Sequence, residues 1–373
     1  MKYNTISFYR YTLIENPEEL RDRLRDFCAI REIQGRILIA QEGINGAVSG
    51  VDEKVEELKS ELRTLFAGLT FREQEAVSTT YHKLVVKVRK EVCAFDYPID
   101  GRESAQYVTP TQLELMYENK EDFVIIDARN NYEYEVGRFK NALKMPIKSF
   151  REFPEKINDF AEFKDKKVVM YCTGGIRCEK ATAYMKHQGF ENVFHLQGGI
   201  INYINHVQHT PNLNGHWEGG LFVFDDRLVH HTDTAVTHCV HCEQDSQQYY
   251  NCHNLDCDRL FICCKDCAVV MKKACSQACK DAPRQRRVKV VEKVVGRVEN
   301  YYAKKGVAFA KVSSLLKVGD RVRVKGKTTD TIQTIVELYD DSGNSIDAAS
   351  SGEYVTFRVS EKVRLHDVIS IPQ

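Results

Sequence analysis

Cys172 lies where the chain changes from an apolar run to a helical pattern, and its surroundings suit a reactive thiol. The run Val168–Tyr171 ends directly before Cys172, and two glycines follow before Arg177. This order predicts a strand, a tight loop and a helix start, because glycines let several backbone N–H groups of such a loop point at one spot. The residues predicted to form this anion-binding loop are Thr173, Gly174, Gly175 and Ile176.

The sequence also predicts that Cys172 ionises more readily than a free thiol, whose pKa is about 8.5. The N-terminus of the helix supplies partial positive charge, and the guanidinium of Arg177 adds a full charge. Because the thiolate is the nucleophilic form, we predict that Cys172 and Arg177 are catalytic. The alternative, an ordinary buried thiol, leaves the two glycines and the arginine at this spacing unexplained.

Cys178 follows Arg177 directly and has two interpretations. It could resolve an oxidised or persulfurated Cys172 by forming a disulfide, or it could fill the core from the first turn of the helix. We favour the second, because a helix cysteine and a loop cysteine can point apart.

The segment from Cys172 to Arg177 resembles the active-site loop of the rhodanese fold. Phosphatases of that fold have a loop one residue longer, so the resemblance implies sulfur-type chemistry or a group smaller than phosphate. Three flanking stretches agree with it: Ile125–Arg129, Gly137–Ala142 and Leu196–Ile200.

Length and composition bound the rest of the chain. A chain of 373 residues predicts two to four domains, and the 53 basic and 53 acidic residues balance, so net charge alone indicates no partner. We find neither a basic start followed by an apolar stretch nor the roughly 18 apolar residues of a membrane span. We therefore expect a soluble cytoplasmic protein without membrane contact.

Residues 1–92 alternate strands and helices in a βαββαβ order, which predicts a ferredoxin-like or acylphosphatase-like domain. Asn16 and Pro17 are predicted to start its first helix, and the segment 83–89 to be its closing strand. The stretch Glu42–Gly46 is predicted to be the turn between the middle strands, either as a binding site or as a purely structural hairpin. Residues 93–107 show no period and are interpreted as a linker.

Residues 108–215 show an alternating α/β pattern, which predicts parallel strands and, with the resemblance above, a rhodanese domain. Functional groups in such sheets gather at the carboxyl ends of the strands. Asp127 and Arg129 lie at one of these ends, so we include them among the candidate catalytic residues. They either brace the loop and shape the pocket or form a structural ion pair.

Residues 216–283 contain nine of the thirteen cysteines, which favours metal binding in a chain without a secretion signal. Four close pairs supply eight thiolates, enough for about two structural zinc ions. We predict interleaved sites, because crossing the pairs ties a core-poor segment together. Cys263 is left over, and disulfides or free thiols are the alternative. One predicted site is Cys239, Cys242, Cys264 and Cys267, and the other is Cys252, Cys257, Cys275 and Cys279.

Residues 284–373 are rich in Val, Ile and Thr between Gly and Asp turns, which predicts a small closed β-barrel. The segment resembles the barrel of the second domain of translation elongation factors, and the barrel appended to a collagenase-like peptidase family linked to tRNA modification. Between residues 284 and 327 there are fourteen Lys and Arg against three acidic residues, which favours a nucleic-acid partner. The RNA-binding candidates are Arg284, Arg286, Arg287, Lys304 and Lys305.

Taken together, the order of these parts resembles the rhodanese-containing tRNA uridine hydroxylase family over roughly residues 4–280. The fold class is therefore predicted as multidomain α+β and α/β, with a ferredoxin-like domain, a rhodanese domain, a cysteine-rich zinc-binding segment and a C-terminal barrel. The resemblance implies 5-hydroxylation of the wobble uridine in the anticodon loop of tRNA, with molecular oxygen as cosubstrate. It also implies that Cys172 is essential, as a thiolate or as a persulfide.

The residues do not themselves complete that chemistry. We find no dinucleotide-binding fingerprint and no set of two histidines and one carboxylate for iron. Two other classes therefore stay open: a sulfurtransferase that carries sulfane sulfur on Cys172, and a non-catalytic RNA-binding zinc protein.

Overall fold

The computed structural model describes residues 2–286, 292–326 and 328–372. They form two compact units, which divide between residues 285 and 286 and are described separately. Among these residues, no helix combines the length and apolar content needed to cross a membrane.

The first unit begins with a sheet that is covered by helices on one face. Its elements are β1 (Tyr3–Tyr11), α1 (Pro17–Ile30), β2 (Gln34–Ala40), β3 (Gly43–Val51), α2 (Asp52–Leu65), β4 (Phe71–Ala76) and β5 (Leu84–Val88). The strand order is β4-β1-β3-β2-β5, and only β2 and β5 are parallel. The first four positions are the antiparallel arrangement of a ferredoxin-like domain. Alternate residues of the sheet, such as Ile6, Phe8, Ile37 and Ile39, are buried in the core that the two helices complete.

Three local predictions in this domain need correction. The closing strand of the βαββαβ unit is β4, and the segment predicted for that role forms the additional strand β5. The sequence pattern does not identify β4, because it is a charged edge strand that is only partly buried. Asn16 precedes α1, but its side chain makes no capping hydrogen bond. The turn between β2 and β3 consists of residues 41 and 42, so Gly43 and Gly46 lie within β3.

The second part of the first unit is a parallel sheet between helices. Its strand order is β6-β11-β10-β7-β9, and all of its strands are parallel. The elements are β6 (Gln106–Val108), α3 (Pro110–Glu118), β7 (Val124–Asp127), α4 (Asn131–Val136), β8 (Gly137–Phe139), β9 (Leu143–Lys144), α5 (Phe153–Lys156), β10 (Lys167–Tyr171), α6 (Ile176–His187), β11 (Asn192–Leu196) and α7 (Gly199–His209). The α/β order predicted for residues 108–215 is observed.

The segment interpreted as a linker is instead packed into the protein. Phe95 and Ala105 are buried, and both belong to the core that also contains Cys172. A short 3₁₀ turn, Gly101–Glu103, and β6 follow within the same segment. Isolated apolar residues that fill a core from a loop carry no periodic signal, so the sequence pattern does not identify them.

The cysteine-rich region completes the first unit with short elements. β12 pairs with β8 of the α/β domain, β13 pairs with β14, and β15 pairs with β16. The elements are β12 (Trp217–Gly219), β13 (Leu221–Phe222), β14 (Val229–His230), β15 (Tyr249–Asn251), β16 (Leu260–Ile262), α8 (Lys265–Val270) and α9 (Gln277–Asp281).

The second unit is an antiparallel, half-barrel sheet. Its elements are β17 (Glu292–Tyr302), β18 (Val307–Val312), β19 (Leu316–Lys317), β20 (Arg321–Lys325), β21 (Asp330–Thr334), β22 (Tyr339–Asp340), β23 (Ala348–Ala349), β24 (Tyr354–Arg358) and β25 (Val368–Pro372). The order β21-β20-β25-β17-β18-β24-β22 leaves β21 and β22 unpaired with each other among the described residues. The predicted closed barrel is thus open in its backbone ladder. Gln333 of β21 instead contacts β24, donating from its side chain to Arg358 O at 2.6 Å. The sequence pattern predicts a first strand over residues 288–298, and its start, residues 288–291, lies outside the described residues.

Candidate active site

Cys172 follows the carboxyl end of β10, in the middle of the parallel sheet. The loop after it turns back over the thiol, and the Gly175 N–H donates to Cys172 Sγ at 3.1 Å. Gly175 has a φ of 99°, which glycine adopts without strain, and α6 begins directly after it. The predicted strand, cradle and helix start are therefore observed, with the sulfur at the N-terminus of a helix.

Gly199, at the start of α7, packs closely against the backbone of this loop. A Cβ on Gly199 would lie 2.4 Å from Cys172 O and 2.7 Å from Thr173 O, so only glycine permits this approach. The start of α7 then donates to the loop, with Ile200 N 3.0 Å from Cys172 O and Ile201 N 3.1 Å from Thr173 O. Gly199 thus acts at the active-site loop, a role that the sequence alone did not assign.

The structure gives Cys172 an acidic thiol. Burial raises its pKa, but a hydrogen bond from the Cys178 thiol, the charge of Arg177 and backbone N–H groups outweigh burial and lower the pKa to about 6. The pKa of Cys178 itself is raised well above its usual range by burial and by this hydrogen bond, so Cys178 stays a protonated donor. Cys178 is fully buried in the same core as Cys172.

This geometry predicts a pH dependence for the reactivity of Cys172. Its alkylation by iodoacetamide should rise with pH and be half-maximal near pH 6, because the thiolate forms above its pKa of about 6. Cys178→Ala should move this midpoint to higher pH, since it removes a donor to the thiolate. Trypsin cleaves after Arg177, so mass spectrometry follows Cys172 and Cys178 on separate peptides.

Cys28→Ala is the matched control for that measurement. Cys28 is buried in the core of the first domain, where burial raises its pKa to about 12. Its replacement should leave the Cys172 midpoint unchanged. A Cys178→Ala profile that coincides with that of the unchanged protein would contradict the assigned hydrogen bond.

Arg177 is held by a carboxylate that the sequence analysis missed. Its Nη1 and Nη2 atoms each lie 2.7 Å from an oxygen of Glu133, and Thr173 Oγ1 donates to the same carboxylate at 3.2 Å. Burial raises the pKa of Glu133, but the charge and hydrogen bonds of Arg177 outweigh it and lower the pKa. Arg177 is therefore half of a buried ion pair that positions the loop. The sequence does contain a signal for Glu133, because the spacing of Asn130 and Glu133 is that of a helix capping box.

Asp127 and Arg129 are brought together by the fold, but away from the cavity. Both side chains are fully buried, and Arg129 Nη2 lies 2.6 Å from Asp127 Oδ2 and 2.6 Å from Gly137 O. This geometry favours the structural ion pair of the two interpretations, in which Arg129 ties the end of β7 to β8.

The Cys172 loop opens into a cavity of about 670 Å³. Its walls come from three separate parts of the first unit. The helix-free face of the first sheet contributes residues such as Arg36, Ala47 and Arg72. The segment after β5 contributes Cys93, and the stretch after β13 contributes Phe224. Phe224 is 57% exposed, which leaves a large aromatic surface available to a ligand.

A buried lysine fixes the Cys93 wall against the active-site helix. Lys180 of α6 is almost fully buried and lies 2.7 Å from Glu91 Oε1 and 2.9 Å from Glu42 Oε2. It also donates to Cys93 O at 3.2 Å. Glu42 belongs to the turn that the sequence left open between a binding and a structural role, and here it holds the wall of the cavity.

The eight cysteines meet in the two interleaved groups that their spacing predicts. Within each group the sulfur atoms lie within 4.8 Å of one another. A tetrahedral zinc ion with bonds of about 2.3 Å requires sulfur atoms about 3.8 Å apart. The Cys242–Cys264, Cys257–Cys275 and Cys275–Cys279 sulfur distances are 3.7, 3.8 and 3.7 Å. The donor sets therefore fit such an ion.

The basic residues predicted to bind RNA do not all belong to the same unit. Arg284 belongs to the first unit and pairs with Asp256. Arg286 is exposed, and Arg287 lies outside the described residues. Lys304 and Lys305 are exposed in the turn between β17 and β18 of the second unit.

The fold and the site define a rhodanese-type cysteine-loop protein with an added ferredoxin-like domain. Comparison with known families agrees: residues 3–92 match the UPF0176 acylphosphatase like domain, residues 109–206 the rhodanese-like domain and residues 218–280 the rhodanase C-terminal family. Among curated proteins, the tRNA uridine(34) hydroxylase of Chlamydia felis is 36% identical over 76% of this chain and 89% of its own length. That of Bacillus cytotoxicus is 37% identical over 77% and 90%. The chain belongs to the tRNA uridine(34) hydroxylase family.

Solved structures cover parts of the chain. A rhodanese-like domain from Anabaena covers 31% of this chain and 80% of its own, with 24% identity and a TM-score of 0.25. The C-terminal domain of a Geobacillus thermoleovorans putative U32 peptidase covers 22% and 93%, with 24% identity and a TM-score of 0.21.

Proposed function

We propose that this protein is an oxygen-dependent oxidoreductase that hydroxylates C5 of uridine 34, the wobble position of tRNA anticodons. The observation that carries the proposal is a Cys172 thiol, with its pKa lowered to about 6, in the lining of a 670 Å³ cavity of a chain that belongs to the tRNA uridine(34) hydroxylase family. A cavity of that volume is within the usual range of small-molecule sites and admits a single base.

The role proposed for Cys172 is to activate the carbon that is hydroxylated. Its thiolate adds to C6 of the uracil, so the Sγ–C6 bond forms and the C5–C6 π pair moves onto C5 and O4. C5 then takes up one atom of dioxygen, and in the net reaction the other atom leaves as water with two electrons and two protons from a thiol reductant in solution. Loss of the C5 proton afterwards expels the thiolate and restores the double bond.

Access to this thiol requires an unpaired nucleotide. A base in a duplex cannot reach an enclosed atom, whereas an anticodon-loop base can splay out and enter a pocket. Phe224 offers the exposed ring on which such a base can stack, and the Arg177 guanidinium lies 5.8 Å from the centre of that ring. The aromatic surface and the thiol therefore share one cavity.

The proposal is tested by mass spectrometry of nucleosides from tRNA incubated with the purified full chain under isotopically labelled dioxygen and a thiol reductant. Labelled 5-hydroxyuridine at position 34 is expected. Thionucleosides in its place would favour the sulfurtransferase class. Unchanged tRNA that still binds the protein would favour the non-catalytic class.

For the cysteine-rich region we propose two structural zinc ions, one in each group of four cysteines. Four thiolate ligands fill a tetrahedral zinc, so no position remains for water or substrate. The two ions would tie β15, β16, α8 and α9 together, since few apolar residues are buried between these elements.

For the second unit we propose recruitment of tRNA rather than chemistry. Replacing Lys304 and Lys305 together by glutamate should lower tRNA affinity and flatten its salt dependence, by about 0.7 to 0.9 in log affinity against log salt for each phosphate that is no longer bound. Turnover at saturating tRNA should not change. Filter binding across a salt series, with single-turnover kinetics, measures both quantities.

Arg25→Glu together with Lys54→Glu is the matched control, because both side chains are about half exposed on helices of the first domain and the charge change is equal. It should leave affinity and slope near those of the unchanged protein. Equal losses in both double variants would show that binding responds to net charge rather than to this turn.

A further inference from the structure

We propose that Arg36 and Arg72 bind RNA phosphodiester groups on either side of the nucleotide that enters the Cys172 cavity. The choice of RNA rests on the proposed function. Both arginines lie on the helix-free face of the first sheet and line the cavity. Neither lies in the basic stretch from which the sequence predicts RNA binding.

The two arginines stand at the ends of one row across the sheet. Arg72 of β4 is opposite Ser7 of β1, Ser7 is opposite Ala47 of β3, and Ala47 is opposite Arg36 of β2. Strands are spaced by about 4.8 Å, so the two Cα atoms are about 14 Å apart. Because Ser7 and Ala47 between them are small, no large side chain fills the space over the row, and a cation stands at each end of it.

The other arginines of the cavity are already neutralised. Arg177 pairs with Glu133, Arg227 with Asp225 at 2.5 Å, and Arg151 with Asp96 at 2.6 Å. These pairs shape the cavity but leave little charge for a ligand.

Arg36 and Arg72 differ from them, because neither has a carboxylate partner within 4.0 Å in the part of the chain that the structure describes. Arg72 is held over the ring of Tyr9, with its guanidinium carbon 4.6 Å from the ring centre. Its Nη1 atom is buried and lacks a hydrogen-bond partner among the described residues. This donor is therefore not committed to another described residue, and an acceptor that a ligand supplies would satisfy it.

Phosphodiester oxygens are the acceptors that fit. A guanidinium binds phosphate through parallel N–H donors, and phosphate contacts set the position of a nucleic acid while base contacts read its identity. The two arginines, at opposite ends of the row, would bind the RNA backbone on both sides of one flipped nucleotide. The base is then free to reach Phe224 and Cys172, which line the same cavity.

The test is the affinity of the full chain for an unmodified anticodon stem-loop RNA, measured across a salt series. Arg36→Ala and Arg72→Ala should each weaken binding about tenfold and reduce the salt slope by about 0.7 to 0.9. Arg36→Lys and Arg72→Lys should keep the slope, because a lysine retains the charge while losing the planar pair of donors. Arg25→Ala, on a helix that covers the opposite face of the sheet, is the control and should change neither quantity.

Failure of this proposal is distinguishable from failure of the proposed function. Unchanged affinity and slope in both alanine variants, with hydroxylation intact, would overturn the phosphate site and leave the function standing. Binding that depends on both arginines, without any 5-hydroxyuridine formed, would support the phosphate site and overturn the function.

Discussion

Cys172→Ser should abolish formation of 5-hydroxyuridine, lowering turnover by about a thousandfold or more, while the protein remains folded. The donors that bring the pKa of the thiol to about 6 cannot ionise a serine hydroxyl at neutral pH, so the nucleophile is lost although the side chain has nearly the same size. Nucleoside mass spectrometry measures turnover, and thermal unfolding followed by circular dichroism checks the fold.

Cys178→Ser is the informative companion to that variant. Cys178 lies in the first turn of α6 and is as buried as Cys172, and a serine there retains a hydroxyl that can donate to the thiolate, so most activity should survive.

Arg177→Ala should lower activity less completely than Cys172→Ser. It should also destabilise the fold by about 3–5 kcal/mol, because it leaves the buried Glu133 carboxylate without its partner. Full activity in purified Cys172→Ser protein would exclude the nucleophilic role.

The purified protein should contain about two zinc ions per chain, and removing any one of the eight grouped cysteines should remove one ion. Cys252→Ser is the sharpest variant, since Cys252 is fully buried within its group and the sulfur geometry of that group suits a tetrahedral ion. We expect one zinc by elemental analysis and a large loss of stability, because metal binding and folding are coupled in a segment with so small a core.

Cys263→Ser provides the matched control for the metal prediction. Cys263 is also buried, and its sulfur is 3.8 Å from that of Cys239, but it belongs to neither group of four. This variant should retain both ions. A protein without zinc whose cysteines form disulfides would overturn the assignment of the whole region.

Much of the candidate site could be predicted because its signals are local. The apolar strand, the two glycines and the arginine around Cys172 follow one another in the chain, and they fold as expected. The cysteine pairs likewise lie close together in the chain, and their interleaved grouping follows from the demand for four ligands. The resemblance of these stretches was sufficient to identify the family, which the curated relatives confirm.

Other elements were missed because their environment, rather than their composition, defines them. The charged strand β4 forms at an edge, where only partial burial is needed, and Phe95 fills a core from a loop. The backbone ladder of the second unit does not close into the predicted barrel among the residues described there. In each case the deciding interaction joins residues distant in sequence, which hydrophobic periodicity does not report.

The sequence by itself determined that a thiol would sit at a strand end above a helix N-terminus, and that eight further thiols would meet in two groups. Only the tertiary structure decided what surrounds the reactive thiol. Glu133, Phe224 and the arginines at 36 and 72 come from separate segments that meet around the Cys172 loop and its cavity. Their roles depend on which arginines pair with carboxylates and on which face of the first sheet is not covered by helices. Those properties arise from packing between distant segments, so no local spacing encodes them.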